Sequence, residues 1–382
     1  ELPDTVSLEM INYLLKDRNC LVEEGFSNEL NIVCGGIPLA IIYAIGILEL
    51  EKDPEQVLTK LKNPQDDLCK YCFDQLVSEI EEQYVIEFQL FLTLSISTNG
   101  LTRENLFVIA GIDDSHRHKA EYALHMLERC SLIFCSNGRY RMLPLTRRYA
   151  FSKLQDNPTI ETEIRERWLS RYLDMADKNG GEDKGEWHEN YDELNNERIT
   201  LKEVFAWCNA HSKYEEPRQL WRSLSRFAYL YGYWTDRTEW SDWLIEVAYQ
   251  RGDHAFLAEL KSAYAWLTLL REGAQNLQKA ENLPTLYSRN IDFKKSENYF
   301  RESMQCRSRN KRKIDNFRNT RLEIRFLFYY GEDFYRRKDY VRAKKLYNQV
   351  IKKTKHIDWL RLKIKAYEQL THITILKKHL KN

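Results

Sequence analysis

The spacing of apolar residues predicts helices along most of the chain. In the first 62 residues, LEMINYLLKD follows a candidate N-cap at Ser7 and keeps its leucines and isoleucine on one helical face. The apolar run at residues 37–50 is too long for a strand, and Pro38 suits the first turn of a helix. Because this second helix is apolar nearly all round, we expect it at the centre of a small bundle spanning residues 1–62.

Residues 63–155 show helical segments that lead to a tight hairpin. VIEFQLFLTLSIS is predicted to be one helix, LTRENLFVIA a second that ends at Gly111, and DSHRHKAEYALHMLERCSLI a third. SLIFCS and RYRMLPL are then predicted to be strands joined by a two-residue turn at Asn137-Gly138, with TRRYAFSKL as a closing helix. Three helices followed by a hairpin is the element order of a winged-helix domain.

From about residue 160 the pattern is helical and rich in Trp, Tyr and Leu. YYGEDFYRRKDYVRAKKLYNQVI places Gly331, Ala343 and Tyr347 with the small-and-aromatic spacing of a tetratricopeptide repeat (TPR), and its turn lies near Lys338-Asp339. A similar helix, turn, helix layout is predicted over residues 229–253. We therefore expect a helical linker or bundle at 156–215 and a TPR-like repeat domain at 216–382.

Stacked helix pairs form a concave surface, which is where we expect a protein or small-molecule partner to bind. Most of the aromatic residues are predicted to pack between helices, but some are candidates for the partner surface. The candidate partner-binding residues are Trp234, Trp240, Arg307, Arg309, Lys311, Arg312 and Lys313.

Composition supports a helical chain of more than one domain. The chain has 382 residues, of which 43% are hydrophobic and 30% charged. It contains 14 Gly and 8 Pro, whereas an all-β chain of this length needs more turn residues. The predicted fold class is mainly α: a small helical bundle, a winged-helix domain with one β-hairpin, and then a TPR-like α-solenoid.

The formal net charge of +1 conceals two oppositely charged parts. Residues 301–382 carry 24 Lys and Arg against 8 Asp and Glu, and the preceding residues carry 34 against 49. We interpret the basic part mainly as a solvated helical face, although it would also attract an anionic partner. Nucleic acid is one such partner, because RSRNKRKIDNFRNTR (residues 307–321) offers contacts to phosphates.

The sequence lacks the common catalytic and phosphate-binding motifs. It has no G-x-x-x-x-G-K-[ST], no G-x-S-x-G and no H-E-x-x-H, so we expect neither an enzyme active site nor a P-loop. Cys69-x-x-Cys72 lacks a second pair at zinc-site spacing, so no metal is expected. His116 and His118 are predicted to be surface residues.

Localisation is predicted to be cytoplasmic. No apolar run approaches the roughly 18 residues of a membrane span, the first residues do not resemble a signal peptide, and the eight Cys are scattered like reduced thiols. Because the chain begins at Glu1 and not at Met, we expect it to be a fragment of a longer protein.

Three segments resemble, in order, the NB-ARC family of signalling ATPases within the STAND class. GGIPLAIIYAIGIL (residues 35–48) resembles the G-[LI]-P-L-A-L motif of the small helical domain that follows the nucleotide-binding core. RYRMLPLTRRYA (residues 139–150) resembles the winged-helix motif built around Met-His-Asp. NERITLKEVFAWC (residues 196–208) resembles the entry into the helical repeat sensors of bacterial members, so the likeness covers most of the chain.

The resemblance implies roles for four residues. Pro38 would face the adenine of bound ADP, with Gly36 and Ile37 shaping the turn beside it. The Met-His-Asp position is Met-Leu-Pro here, so Leu143 replaces the His that senses the β-phosphate and cannot donate a hydrogen bond. The nucleotide core would lie upstream, so ADP or ATP is expected in the full-length protein and no cofactor in this fragment.

The implied function is the regulatory and sensor part of a nucleotide switch. ADP would lock the domains, and a ligand on the repeats would release them so that the activated full-length protein oligomerises. Two alternatives are a winged-helix DNA-binding transcriptional regulator and a passive TPR scaffold. For the DNA-binding alternative, the candidate recognition helix HKAEYALHMLERCSL has few Arg or Asn side chains that could read bases. For the scaffold alternative, the full-length protein would purify without ADP.

Overall fold

In a computed structural model, the protein is mainly α-helical. The structure describes residues 2–61, 68–181, 191–278, 294–309, 316–355 and 360–379, and these contain nineteen helices and one three-stranded sheet. The predicted mainly α fold class is therefore confirmed. Two compact units are present, Glu1–Met175 with Glu197–Val204, and Ala176–Asn196 with Phe205–Asn382. The domain boundaries predicted near residues 62, 155 and 215 stay predictions.

The first unit begins with a small bundle whose centre is the third helix, as predicted for that helix, and a helix beyond residue 62 also packs on it. The third helix buries side chains on all sides and contacts the four helices around it, because its sequence is apolar nearly all round. Pro38 occupies its first turn. The bundle helices are α1 (Asp4–Asp17), α2 (Phe26–Cys34), α3 (Pro38–Glu51), α4 (Pro54–Leu61) and α5 (Leu68–Gln83).

The predicted N-cap at Ser7 is wrong. Helix α1 starts one turn earlier, at Asp4, directly after Pro3. Ser7 is buried inside the helix and donates a hydrogen bond to the side chain of Asn31 on α2. The hydroxyl therefore joins two helices, a role that local sequence preference does not reveal.

After the bundle, the described part of the first unit continues with five helices and three short strands. The sheet order is β1-β3-β2, with both pairings antiparallel. Its elements are α6 (Val85–Leu94), β1 (Leu101–Thr102), α7 (Arg103–Ala110), α8 (Arg117–Arg129), β2 (Phe134–Ser136), β3 (Arg139–Arg141), α9 (Pro144–Gln155) and α10 (Pro158–Asn179), of which α10 runs on into the second unit.

The predicted hairpin is present, and a third strand pairs with it. Asn137 and Gly138 both have positive φ, at 53° and 71°, as a type I′ turn requires. Leu101–Thr102, predicted to begin a helix, instead forms β1 against β3, and α7 begins after it. A Cβ on Gly100 would lie 2.2 Å from the carbonyl oxygen of Tyr140, so only glycine allows this close pairing.

The second unit consists of helix pairs. The described helices of the second unit are α11 (Tyr191–Asn196), α12 (Arg198–Ala210), α13 (Glu215–Leu230), α14 (Trp234–Gln250), α15 (His254–Gln278), α16 (Lys294–Arg309), α17 (Asn316–Arg336), α18 (Tyr340–Thr354) and α19 (Leu360–His379). Helix α12 belongs partly to the first unit and partly to the second. From α13 to α19, consecutive helices contact one another, and α17 also contacts α15 and α19.

The predicted repeat turn lies between α17 and α18. Lys338 has a positive φ of 62°, and Asp339 caps α18 by accepting a hydrogen bond from the backbone N–H of Arg342. A Cβ on Gly331 would lie 2.9 Å from the ring of Tyr347, so the small residue lets the two helices approach. The small-and-aromatic spacing thus reflects helix packing.

None of the described helices combines the length and the apolar character needed to cross a membrane.

Candidate functional site

The second unit contains a recess of about 300 Å³ that we call the arginine–aromatic pocket. Helices α13, α15, α17 and α19 supply most of its lining, and α14 adds one arginine. Charged and aromatic side chains dominate this lining. The lining residues are Arg226, Tyr229, Arg237, Trp266, Arg325, Phe328, Tyr329, Glu332, Leu362, Lys365, Glu368 and Gln369.

One wall of the pocket is aromatic. The rings of Trp266 and Tyr329 stack with centroids 4.5 Å apart and planes 12° from parallel. On another side, the guanidinium of the buried Arg237 lies 5.7 Å from the ring centroid of Tyr229 and its Nε donates to Ser225 at 2.9 Å. These contacts fix flat apolar surfaces next to positive charge.

The pocket carries more positive than negative charge. Four cationic side chains, Arg226, Arg237, Arg325 and Lys365, face two carboxylates. One carboxylate, Glu332, is buried and accepts a hydrogen bond from the hydroxyl of Tyr347 at 2.6 Å. Burial raises the pKa of Glu332, an effect that this hydrogen bond opposes. The balance therefore favours an anionic group in the recess.

On α13 and α19, the pocket has buried polar atoms with no hydrogen-bond partner among the described residues. They are Nε of Arg226 and Oε1 of Gln369, a donor and an acceptor. Buried polar atoms in folded proteins are usually paired, and leaving one unpaired is costly. A ligand that supplies both an acceptor and a donor would satisfy the pair.

A second cavity, of about 540 Å³, shares Arg325 with the pocket, and we call it the arginine groove. Arg218 and Arg222 of α13 line it together with Arg321 of α17. Arg222 makes a bidentate ion pair with Glu259, with N–O distances of 2.8 and 3.0 Å. The groove is therefore cationic but partly neutralised by its own acids.

The arginines that α13 and α17 contribute to the two cavities recur at a helical period, a pattern that is separate from the motifs described above. Arg218, Arg222 and Arg226 recur every fourth residue on α13, and Arg321 and Arg325 do so on α17. This spacing places them on one face of each helix. The recurrence of arginine at intervals of four within EEPRQLWRSLSRFAYL is therefore the signal in the sequence that indicates these two cavities.

Of the predicted partner-binding residues, Trp234, Trp240 and Arg307 have described side chains, and they are not among the lining residues of either cavity. Trp240 is only 6% exposed and stacks on Phe205 at 5.3 Å, so its prediction as a surface contact is wrong and it serves packing. Trp234 is half-buried and donates from Nε1 to the carbonyl of Tyr229. Arg307 pairs with Glu323 at 2.9 Å. The side chain of Arg309 and the residues Lys311, Arg312 and Lys313 lie outside the described part.

The predicted nucleotide-contacting turn lies at the start of α3. Gly36 has a φ of 64°, and a Cβ there would lie 2.6 Å from the carbonyl oxygen of Leu2. The carbonyl of Gly36 accepts a hydrogen bond from the backbone N–H of Leu2, and Ile37 is extended before Pro38. Packing against Leu2 therefore already explains why glycine stands at position 36.

Leu143 is 46% exposed and occupies the N-cap position of α9. Helices α3 and α9 are bridged by an aromatic series on which both pack, Tyr43 to Phe73 at 5.1 Å and Phe73 to Tyr149 at 4.7 Å. Arg147, one turn into α9, donates to the carbonyl of Ser95. The two predicted nucleotide positions thus stand at the N-termini of two helices that share one aromatic cluster.

The described side chains form no cluster of three or more His, Cys, Asp or Glu that fits a metal ion. Cys72 is buried, and the side chain of Cys69 lies outside the described part. His116 is a surface residue, as predicted, and it contacts Asp113 at 2.8 Å.

Comparison with known proteins gives one distant structural similarity. No family model and no curated protein matches the chain. One solved structure does, a signal transduction ATPase with numerous domains (STAND) with a tetratricopeptide repeat sensor from Pyrococcus horikoshii, at 14% identity and a TM-score of 0.38. The match covers 100% of this chain and 58% of that one, so this chain spans little more than half the length of that protein.

Proposed function

We propose that this chain is the regulatory and sensor part of a nucleotide-switched signalling protein of the NB-ARC/STAND type. In this proposal the second unit binds a ligand, and the first unit transmits that event to a nucleotide-binding core upstream. The observation that carries the proposal is the arginine–aromatic pocket, because it gives the repeat helices a recessed site with unpaired polar atoms.

Features of the first unit support the nucleotide-linked part of the proposal. The order α6, β1, α7, α8, β2, β3 is the one expected of a winged helix. Pro38 begins α3 directly after the turn at Gly36 and Ile37, as the resemblance to the family motif requires. A rigid proline at the N-terminus of a helix suits contact with an adenine and its phosphates.

The chain itself is proposed to have no catalytic activity. ADP or ATP would be held mainly by the upstream core, with Pro38 closing over the base. Leu143, which cannot donate a hydrogen bond, would leave the β-phosphate to other groups. The proposed location is the cytoplasm, where nucleotide and reduced thiols coexist.

The charges on α7 and α8, the helices that would contact a DNA groove, do not favour the DNA-binding alternative. Arg103 of α7 pairs with Glu121 at 3.4 Å, and Arg117 of α8 pairs with Glu104. Acidic partners thus accompany the basic side chains on this surface, and a phosphate backbone would meet both signs of charge.

The proposal can be tested on the longer protein that includes the upstream core. We expect it to purify with ADP, and we expect Pro38→Ala to accelerate ADP release. Deleting residues 216–382 should raise basal nucleotide exchange and oligomerisation, because the ligand-controlled restraint is lost. A protein that purifies without nucleotide, and whose exchange is unchanged by both alterations, would contradict the proposal and favour a passive scaffold.

A further inference from the structure

We propose that the arginine–aromatic pocket binds an extended acidic peptide segment of a partner protein, anchored by a carboxylate on Arg226. This inference rests on the proposed function in that it names the ligand class of the sensor. It is carried by the charge, the unpaired atoms and the spacing of arginines in the second unit.

The anchor is Arg226. Its Nε is buried, and the described residues offer it no hydrogen-bond acceptor. Arginine presents its N–H groups in a planar fork that matches a carboxylate, and such charge-assisted bonds are the strong ones. A carboxylate seated there would pair the buried donor and offset the excess of positive charge in the pocket.

The second unpaired atom distinguishes a peptide from a simple anion. Oε1 of Gln369 is an acceptor and needs an N–H or O–H donor. Inorganic phosphate or a bare carboxylate brings acceptors almost exclusively, whereas a peptide brings a carboxylate and backbone N–H groups together. The stacked rings of Trp266 and Tyr329 offer a flat surface for the peptide groups and apolar side chains between the acids.

The spacing of the arginines fits an extended chain. Residues four apart on a helix are separated by about 6 Å along its axis, which applies to Arg218, Arg222 and Arg226. Side chains on one face of an extended peptide recur about every 6.6 Å. A peptide with acids at alternate positions can therefore run from Arg226 into the arginine groove with each carboxylate near one arginine.

The carboxylates of the site disfavour nucleic acid. Glu332 and Glu368 line the pocket, and Glu215 and Glu259 line the groove. They would repel an uninterrupted run of phosphates, but they can accept hydrogen bonds from the backbone amides of a peptide. The ion pair of Arg222 with Glu259 is partly exposed, so a peptide carboxylate can compete for that arginine.

The test uses the full 382-residue chain. The probe is a fluorescein-labelled seven-residue peptide with Asp at alternate positions and Val between them, measured by fluorescence anisotropy at low and physiological salt. We expect saturable binding, weakened at least about tenfold by Arg226→Gln and less by Arg226→Lys, which keeps the charge but not the fork. Arg251→Gln, an exposed arginine of the same unit, should change affinity less than about twofold.

Three outcomes would overturn the inference. The first is a matching Asn peptide that binds as tightly as the Asp peptide. The second is equal weakening by Arg226→Gln and Arg251→Gln while circular dichroism shows both folded. The third is displacement of the peptide by equimolar inorganic phosphate or a single-stranded oligothymidine, which would assign the pocket to small oxyanions or nucleic acid. Because this assay contains no nucleotide, its failure is distinct from a failure of the proposed ADP switch.

Discussion

A buried polar network in the first unit leads to a quantitative prediction. Glu197 accepts two hydrogen bonds from the guanidinium of Arg139 on β3, at 2.7 and 3.0 Å, and one from the hydroxyl of Tyr172 on α10, at 2.9 Å. Asn105 on α7 donates to the same carboxylate at 3.1 Å. Glu197 is 3% exposed, so one carboxylate joins the hairpin, α7 and α10 out of contact with water.

The change we consider is Glu197→Gln. Removing one partner of a buried ion pair leaves the other charge uncompensated and costs about 3–5 kcal/mol. The amide keeps a single carbonyl acceptor for Arg139, so we expect the lower end, about 3 kcal/mol, which is roughly a hundredfold increase in the open state of this region. Replacing both partners, as Arg139→Met with Glu197→Leu, should restore most of the lost stability because no buried charge remains.

Hydrogen exchange measured by mass spectrometry resolves the effect by region. Peptides from residues 139–175 should lose protection in the Glu197→Gln variant, and peptides from residues 220–260 in the second unit should not. Glu163→Gln is the matched control, since that carboxylate is 60% exposed and pairs with Arg167 on the same helix. Equal loss of protection in the two variants would refute the claim that the network holds the region together.

Two further changes test packing and titration. Gly331→Ala should destabilise the second unit by about 1–3 kcal/mol in urea denaturation, because the added methyl lies 2.9 Å from the ring of Tyr347; an unchanged midpoint would show that the helices give way freely. The carboxyl pKa of Asp113 is lowered from 3.8 to about 2, first by a hydrogen bond from Ser115 and then by those from His116. The resulting stabilisation is present above pH 4 and is lost as the pH falls through about 2. In the Ser115→Ala variant, an NMR titration should find the pKa of Asp113 moved back toward 3.8.

Helices and the hairpin could be predicted because their signals are local. The run around α3 is apolar on every side, which requires burial, and Asn137-Gly138 adopts the positive φ that the turn demands. The Gly331 and Tyr347 spacing also encodes a contact between neighbouring helices, so it can be recognised within one repeat.

The failures have non-local causes. Leu101–Thr102 forms a two-residue strand whose partner, β3, lies almost forty residues away, and two residues carry no detectable alternation. Ser7 resembles a cap, but its hydroxyl is used between helices. Trp240 is large and amphipathic, a type found both in cores and at interfaces, and only the stacking on Phe205 decides between the two.

Arg139 and Arg226 show why the candidate site could not be predicted from residue type alone. The guanidinium of Arg139 is paired with a carboxylate of its own chain, whereas Arg226 has a buried Nε without a partner in the described residues. The two should therefore respond oppositely to substitution by methionine, which preserves most of the apolar stem. Arg139→Met leaves the buried carboxylate of Glu197 without its cationic partner and should destabilise the first unit by about 3–5 kcal/mol.

Arg226→Met leaves no carboxylate without a partner and removes a buried hydrogen-bond donor that is unpaired. The free energy of unfolding of the second unit should therefore stay equal or rise, while affinity for the acidic peptide falls. Urea denaturation of each variant, followed by anisotropy with the same peptide, measures both quantities. If Arg226→Met destabilises the protein as much as Arg139→Met does, Arg226 is a structural residue and the unpaired donor does not indicate a ligand. A binding loss without a stability loss would instead show that the chain keeps this arginine at an energetic cost for its partner.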